Sequence, residues 1–216
     1  MLSTIYSVYG LLKMLSEEKK QQKKIEIMEK SFARYCETGL RDTGIKDLAK
    51  ACGMTAPNFY SYFDNLDQLI VEATEHCMIK IENEILEQAP KTREEIAPFI
   101  EKIIVPSRDF HSKEYRFMYQ VFTSPAFLEQ GKKFRNRQFL RYRKYAEEME
   151  KVLNVSWYLI LEWILYFEQA IIQYALWENS TMYVLQKIGL ENMAMSMLER
   201  DGKPPFEKNW REFPKE

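Results

Sequence analysis

The sequence predicts an all-α protein of two parts: a short helix-turn-helix module near the N-terminus and a larger helical body behind it. Three observations carry this. Only 7 glycines and 8 prolines punctuate 216 residues, which suits long helices joined by few turns. Apolar residues recur at helical spacing in segment after segment. Residues 43–69, TGIKDLAKACGMTAPNFYSYFDNLDQL, read as two short helices, a tight turn and the start of a third helix.

Composition narrows the class. An apolar fraction of 46% is ordinary and supports a sizeable core. The formal net charge of −1 is not that of a protein that coats nucleic acid, although binding through one small face needs no basic whole. Cys36, Cys52 and Cys77 are odd in number and lack metal-ligand spacing, so reduced thiols in a cytoplasmic protein fit best.

In chain order, residues 1–16 form an apolar N-terminal extension. Leu2, Ile5, Tyr9, Leu12 and Leu15 fit one helical stripe, too short to span a bilayer and without the basic start of a signal peptide. Glu17 to Cys36 reads as the first long helix, with Ile25, Met28, Phe32 and Tyr35 inward and Gly39 as its stop. Lys19, Lys20, Lys23 and Lys24 gather at its start, balanced by Glu17, Glu18 and Glu26.

In the next helix Ile45, Leu48 and Ala49 face inward, Asp47 favours the helix start, and Gly53 supplies the left-handed stop. Thr55 can cap the following helix, with Pro57 in its first turn, where a missing N–H costs nothing. Phe59 and Phe63, four apart, pin that helix to its neighbours. Ala56, Pro57, Asn58, Tyr60, Ser61 and Tyr62 are left to solvent or a partner. Asn65 and Gln68 form a capping pair for the next helix.

These residues resemble the DNA-binding half of the TetR family of bacterial transcriptional regulators. The shared pattern is a glycine, a Ser/Thr cap and an aromatic-rich helix, here Gly53, Thr55, Phe59, Tyr60, Tyr62 and Phe63, preceded by Asp47-Leu48-Ala49. It covers about Lys23 to Glu75, the first third of the chain. The resemblance implies a DNA-binding domain at 17–75, with Thr43, Lys46, Thr55, Ala56, Pro57, Asn58, Tyr60, Ser61 and Tyr62 as candidate contacts. It also implies a ligand-binding and dimerisation domain at 76–201 and a homodimer formed through the two C-terminal helices. The chain departs from the pattern at Leu66, where a phosphate-binding lysine is common, and at Gly44, which replaces a Ser/Thr cap.

Beyond the module, the helix from Leu66 to about Gln88 fits a connector. Thr92 to Val105 follows, with Thr92 and Glu95 as a capping pair and Pro106 as its end; Lys113 to Phe122 is short and aromatic-rich. Ser124-Pro125 starts a basic, aromatic helix reaching about Val152, read as a solvated face over a packed one or as a positive rim for an anionic ligand. Ser156 to Trp177 is apolar on all sides, which marks a helix buried on every face; Glu162, Glu168, Gln169 and Gln173 argue against a membrane span. Thr181 to Glu199 follows, and residues 202–216 are a charged, Pro-rich, irregular tail.

No catalytic or metal-binding constellation is present by motif, and no cofactor is expected. His76 and His111 lack matching partners, and there is no Gly-rich phosphate loop. Glu162 and Glu168, inside an apolar helix, each need a partner, since a buried carboxylate is costly alone. One reading is an ion pair; the other is a pocket wall of Phe117, Trp163, Phe167 and Tyr174 in which a carboxylate selects a lipophilic cation. By resemblance, the chain is expected to be a cytoplasmic repressor, not an enzyme. It is expected to leave a palindromic double-stranded DNA operator when a small lipophilic molecule binds, with no membrane partner. A helical adaptor, or an enzyme retaining the fold without operator binding, fits the same residues.

Overall fold

Few breakers and persistent helical periodicity give helix throughout; among the described residues there is no strand. The computed structural model describes residues 2–199, and the side chains within them except at 2–13, 15 and 103–107. The predicted tail at 202–216 therefore lies outside the described residues, as do the side chains of the apolar stripe Leu2, Ile5, Tyr9, Leu12 and Leu15.

Helix α1 spans Leu2–Thr38, α2 Ile45–Ala51, α3 Ala56–Phe59 and α4 Leu66–Glu87. A short α5, Ile96–Phe99, runs through a π-helical turn, Ile100–Ile104, into α6, Val105–Phe122. Then come α7, Leu128–Leu153, α8, Trp157–Trp177, and α9, Ser180–Glu199. The chain forms two units, one of residues 1–83 and 117–131, the other of residues 84–116 and 132–216.

In the first unit the buried side chains include Ile27, Phe32 and Tyr35 of α1, Leu48 of α2, Phe59 of α3, and Leu69 and Met78 of α4. Phe117, at the end of α6, joins them: its ring stacks on Tyr35 at 5.3 Å between centroids and meets Phe32 edge-on at 5.7 Å. Ion pairs tie α1 to α4, Lys24 to Glu72 at 2.5 Å and Lys80 to Glu29 at 2.8 Å. The Lys80 pair is exposed and the Lys24 pair half-buried, so each adds at most about 1 kcal/mol.

Among the described residues, the second unit buries two apolar clusters. One joins Met149, Leu153, Val155 and Leu159; the other joins Tyr142, Ala146 and Leu161, with Leu86, Phe139, Ile164 and Leu165 packed against it, partly buried. Arg116 closes the end of α8, its guanidinium donating to the Ala175 carbonyl and the Glu178 carboxylate, beside the left-handed Glu178 (φ 52°). Asn179 starts α9 by accepting the Met182 N–H at 3.0 Å.

Four helical expectations change. The first helix does not begin at Glu17: it is continuous from Leu2, because nothing between the apolar extension and Glu17 breaks a helix. Pro106 does not end a helix. It stands second in α6, directly after a π-helical turn, where the regular i→i−4 ladder is only starting, so the donor that proline lacks costs little there. The helix at Thr55 does not reach Phe63. After Phe59 the chain tightens into i→i−3 bonds, Ser61 and Tyr62 N–H donating to the Asn58 and Phe59 carbonyls, and the Ser61 hydroxyl takes the Asn58 carbonyl at 2.6 Å. Finally, α8 is not buried on every face of one chain, since Glu162, Tyr166 and Gln169 form an exposed stripe.

Candidate nucleic-acid interface

The turn that aims α3 is built from Ala49 to Met54. Met54 N–H donates to the Ala49 carbonyl at 2.9 Å and Gly53 N–H to the Lys50 carbonyl at 3.1 Å, the paired closure of a Schellman motif. Gly53 takes φ +65°, which a side chain would oppose. At the other end of α2 the Gly44 N–H is held by the Asp47 carboxylate at 3.2 Å, so the helix start is satisfied without a Ser/Thr side chain.

Phe59 and Phe63 are fully buried, with ring centroids 5.6 Å apart, and they fix which side of α3 faces out. Asp64 and Gln68 N–H groups are held by the Gln68 and Asn65 side chains at 2.6 and 2.8 Å, so α4 starts at a set place after the turn. Lys46, Thr55, Pro57, Asn58, Tyr60 and Ser61 are consequently exposed, while Ala56 and Tyr62 are half-buried. Thr55 sits at the N-cap of α3 and makes no side-chain cap bond, so the helix start does not engage its hydroxyl.

Thr43 differs from the other candidates. It is buried, its hydroxyl donates to the Gly39 carbonyl at 2.8 Å and bonds the Thr38 hydroxyl, and it therefore holds the α1–α2 turn. Among the four lysines that fall in the middle of α1, Lys23 pairs with Glu26 at 2.8 Å and Lys24 with Glu72, while Lys19 and Lys20 are exposed. The Lys23 and Lys30 ammonium groups hold Glu26 down at about 2, so that carboxylate stays charged and offsets them.

The residues expected to bind a ligand are divided between the two units. Phe117 belongs to the core of the first unit, while Glu162, Trp163, Phe167, Glu168 and Tyr174 lie in the second. Glu162 is exposed. Trp163 stacks on Phe167 at 5.9 Å and donates to the Leu190 carbonyl at 2.9 Å. Tyr174 lies under the Arg108 guanidinium, 4.8 Å from its ring, beside Tyr183. Glu168 is buried, and its Oε1 accepts from Arg135 at 2.6 Å and from Gln138 Nε2 at 3.0 Å.

Arg135 and Gln138 were not among the candidates. The signal for Gln138 is that it stands midway between Phe134 and Tyr142, four residues from each, on the apolar face of α7. Among the described residues, no three His, Cys, Asp or Glu side chains gather as a metal site needs. One described helix, Trp157–Trp177, is long and apolar enough to cross a membrane; half of its apolar window is buried inside the protein, as in a core helix.

Residues 27–73 match the family model described as bacterial regulatory proteins, tetR family. No curated protein matches the chain. Among solved structures, a TetR transcription regulator from Haloarcula marismortui ATCC 43049 is similar, with a TM-score of 0.61 and 14% identity, over 82% of this chain and 98% of that one. A tetR-family transcriptional regulator from Streptomyces coelicolor gives a TM-score of 0.52 at 14% identity, over 86% of each chain. The transcriptional regulator FadR from Bacillus subtilis, solved in complex with stearoyl-CoA, gives 0.52 at 13% identity, over 78% of this chain and 96% of that one. At these identities the likeness is one of fold.

Proposed function

We propose, from the match of residues 27–73 to the TetR family model, that this chain is a cytoplasmic homodimeric repressor that leaves a palindromic operator when a small lipophilic molecule binds its second unit. The observation that carries the DNA-binding half is the two-sidedness of the helix-turn-helix. Leu48, Ala49, Phe59 and Phe63 are buried, and the opposite side presents Lys46, Thr55, Pro57, Asn58, Tyr60 and Ser61 together.

Each of these groups suits part of a duplex. Asn58 can donate to and accept from adenine at once in the major groove. Pro57 and Ala56 offer apolar contact to a thymine methyl. The Thr55, Tyr60 and Tyr62 hydroxyls suit phosphate oxygens, which position without specifying. Lys46 reaches phosphate or a base edge. With α3 only one turn long, its dipole contributes little, and side chains carry the contact.

The dimer is supported by apolar surface left open on the last two helices. Leu185, Ile188 and Met195 of α9, at 65%, 46% and 53% exposed, and the exposed Tyr166 of α8 give apolar surface that a second copy would cover. Pairing through it gives two copies of α3, which on DNA stand about one helical turn apart. Ligand control is supported by the polar group between α7 and α8 in which buried Gln138 and Glu168 meet the part-exposed Arg135. FadR, similar in fold, was solved with a fatty acyl-CoA.

The test is selection of bound duplexes from a random pool by the full chain, with light scattering of the free protein. The expected results are a palindrome with half-sites about one turn apart and twice the chain mass. A clean monomer, or a pool that never enriches, would overturn the reading.

A further inference from the structure

Glu168 is an exception in α8. It is 2% exposed, on a helix whose other buried residues are apolar, and its two oxygens are treated differently. Oε1 accepts two hydrogen bonds, from Arg135 Nη1 at 2.6 Å and Gln138 Nε2 at 3.0 Å. Oε2 is buried and has no partner. Gln138, itself 1% exposed, is fully engaged: its Oε1 accepts from Arg135, and its amide also donates to the Tyr142 hydroxyl at 3.2 Å. A buried carboxylate oxygen without a protein donor is costly, more so than a neutral acceptor. The surrounding bonds hold Glu168 in place, so the acceptor cannot easily turn away.

The chemistry of a donor that fits Oε2 follows from the charge balance. Arg135 already neutralises Glu168, so a second cation would leave a surplus positive charge in a buried site. An anion would face Oε2 with like charge. A neutral hydroxyl or amide N–H meets the acceptor without adding charge. Apolar side chains close by in the chain are incompletely covered: Ile164 and Leu165, four and three residues before Glu168, and Phe139, next to Gln138, are partly buried and pack against the cluster of Tyr142, Ala146 and Leu161.

We propose that Glu168 Oε2 is the anchoring acceptor of the ligand site, and that the site takes a neutral lipophilic molecule through one hydroxyl or amide donor. This rests on the reading of the second unit as ligand-binding. It replaces selection of a lipophilic cation, because the charge that would attract one is paired with Arg135.

The experiment titrates the full-length protein calorimetrically with probes of matched chain, 1-decanol, decyl methyl ether, decanoate and decyltrimethylammonium, each below its aggregation limit. The expected result is saturable binding of 1-decanol about tenfold or more tighter than each of the others, the scale of one hydrogen bond to a charged acceptor. In Glu168→Gln the amide nitrogen replaces Oε2, and preference is expected to pass from 1-decanol to 2-decanone, which only accepts. If that variant does not fold, the comparison of alcohol with ether in the natural chain still decides. Equal binding of alcohol and ether, or silence from all four probes, overturns the inference. Binding of decanoate or the ammonium in preference to the alcohol also overturns it, yet leaves a ligand-binding second unit standing. The operator selection is independent of every arm.

Discussion

Tyr35 and Phe117 stack face to face, their ring centroids 5.3 Å apart and their planes 11° from parallel, although 82 residues separate them in the chain. Both are fully buried, and the pair fastens the end of α6 into the core around α1. Phe117→Ala should therefore cost about 3–5 kcal/mol in urea-induced unfolding, as for other buried aromatics. Phe117→Leu should cost less and leave the affinity for any ligand of the second unit unchanged. Lost ligand binding with unchanged stability would return Phe117 to a pocket wall.

Two glycines separate backbone freedom from space. Gly53 sits at φ +65° with open space where a Cβ would stand, so Gly53→Ala should cost about 1 kcal/mol, all of it backbone strain. Gly131 lies within α7, where alanine normally stabilises by about 1 kcal/mol. There a Cβ would fall 2.4 Å from the Phe122 carbonyl oxygen and 2.8 Å from the Phe122 Cβ. Backbone must move, so Gly131→Ala should be the more destabilising of the two. Chemical denaturation of both variants checks the order.

Burial pushes the phenols of Tyr35, Tyr145 and Tyr183 up to about 12, with the charges of Asp67 and Glu148 adding to it at Tyr35 and Tyr145. In the unfolded chain they lose their protons near 10. The folded state thus keeps protons that the unfolded state gives up. Stability is unaffected by these groups below pH 10 and falls as the pH rises from about 10 to about 12, by at most about 3 kcal/mol per tyrosine. Phenolate absorbance and circular dichroism followed together should change in that window. Ordinary titration near pH 10 with the fold intact would show the three rings to be solvated.

What could be read from the sequence was local chemistry. Gly53 at a left-handed turn, the Asn65–Gln68 cap and the inward Phe59–Phe63 pair all act within a few residues, and each stands in the structure as its residue type requires. What could not be read depends on partners far along the chain. Arg135 meets Glu168 across 33 residues, and Phe117 meets Tyr35 across more; no spacing rule reaches either. Thr43 counts among the candidate contacts by resemblance alone, and nothing local shows that Thr38 and Gly39 turn it inward. Pro106 was misleading for a different reason: proline's cost applies to the ordinary helical ladder, and a π-helical turn suspends that ladder at the preceding residues.

DNA reading by the exposed side of α2 and α3 is tested most directly by measuring, at fixed and varied salt, the binding of the full chain and of Asn58→Ala and Lys46→Ala to the selected operator and its single-base variants. Asn58→Ala should lose discrimination at one position per half-site, about 1–3 kcal/mol, with the fold intact. Lys46→Ala should weaken binding to all sequences and lower the salt slope by about one counterion per half-site if it meets phosphate. If both variants bind every duplex as the natural chain does, the helix-turn-helix face is not the surface that holds DNA.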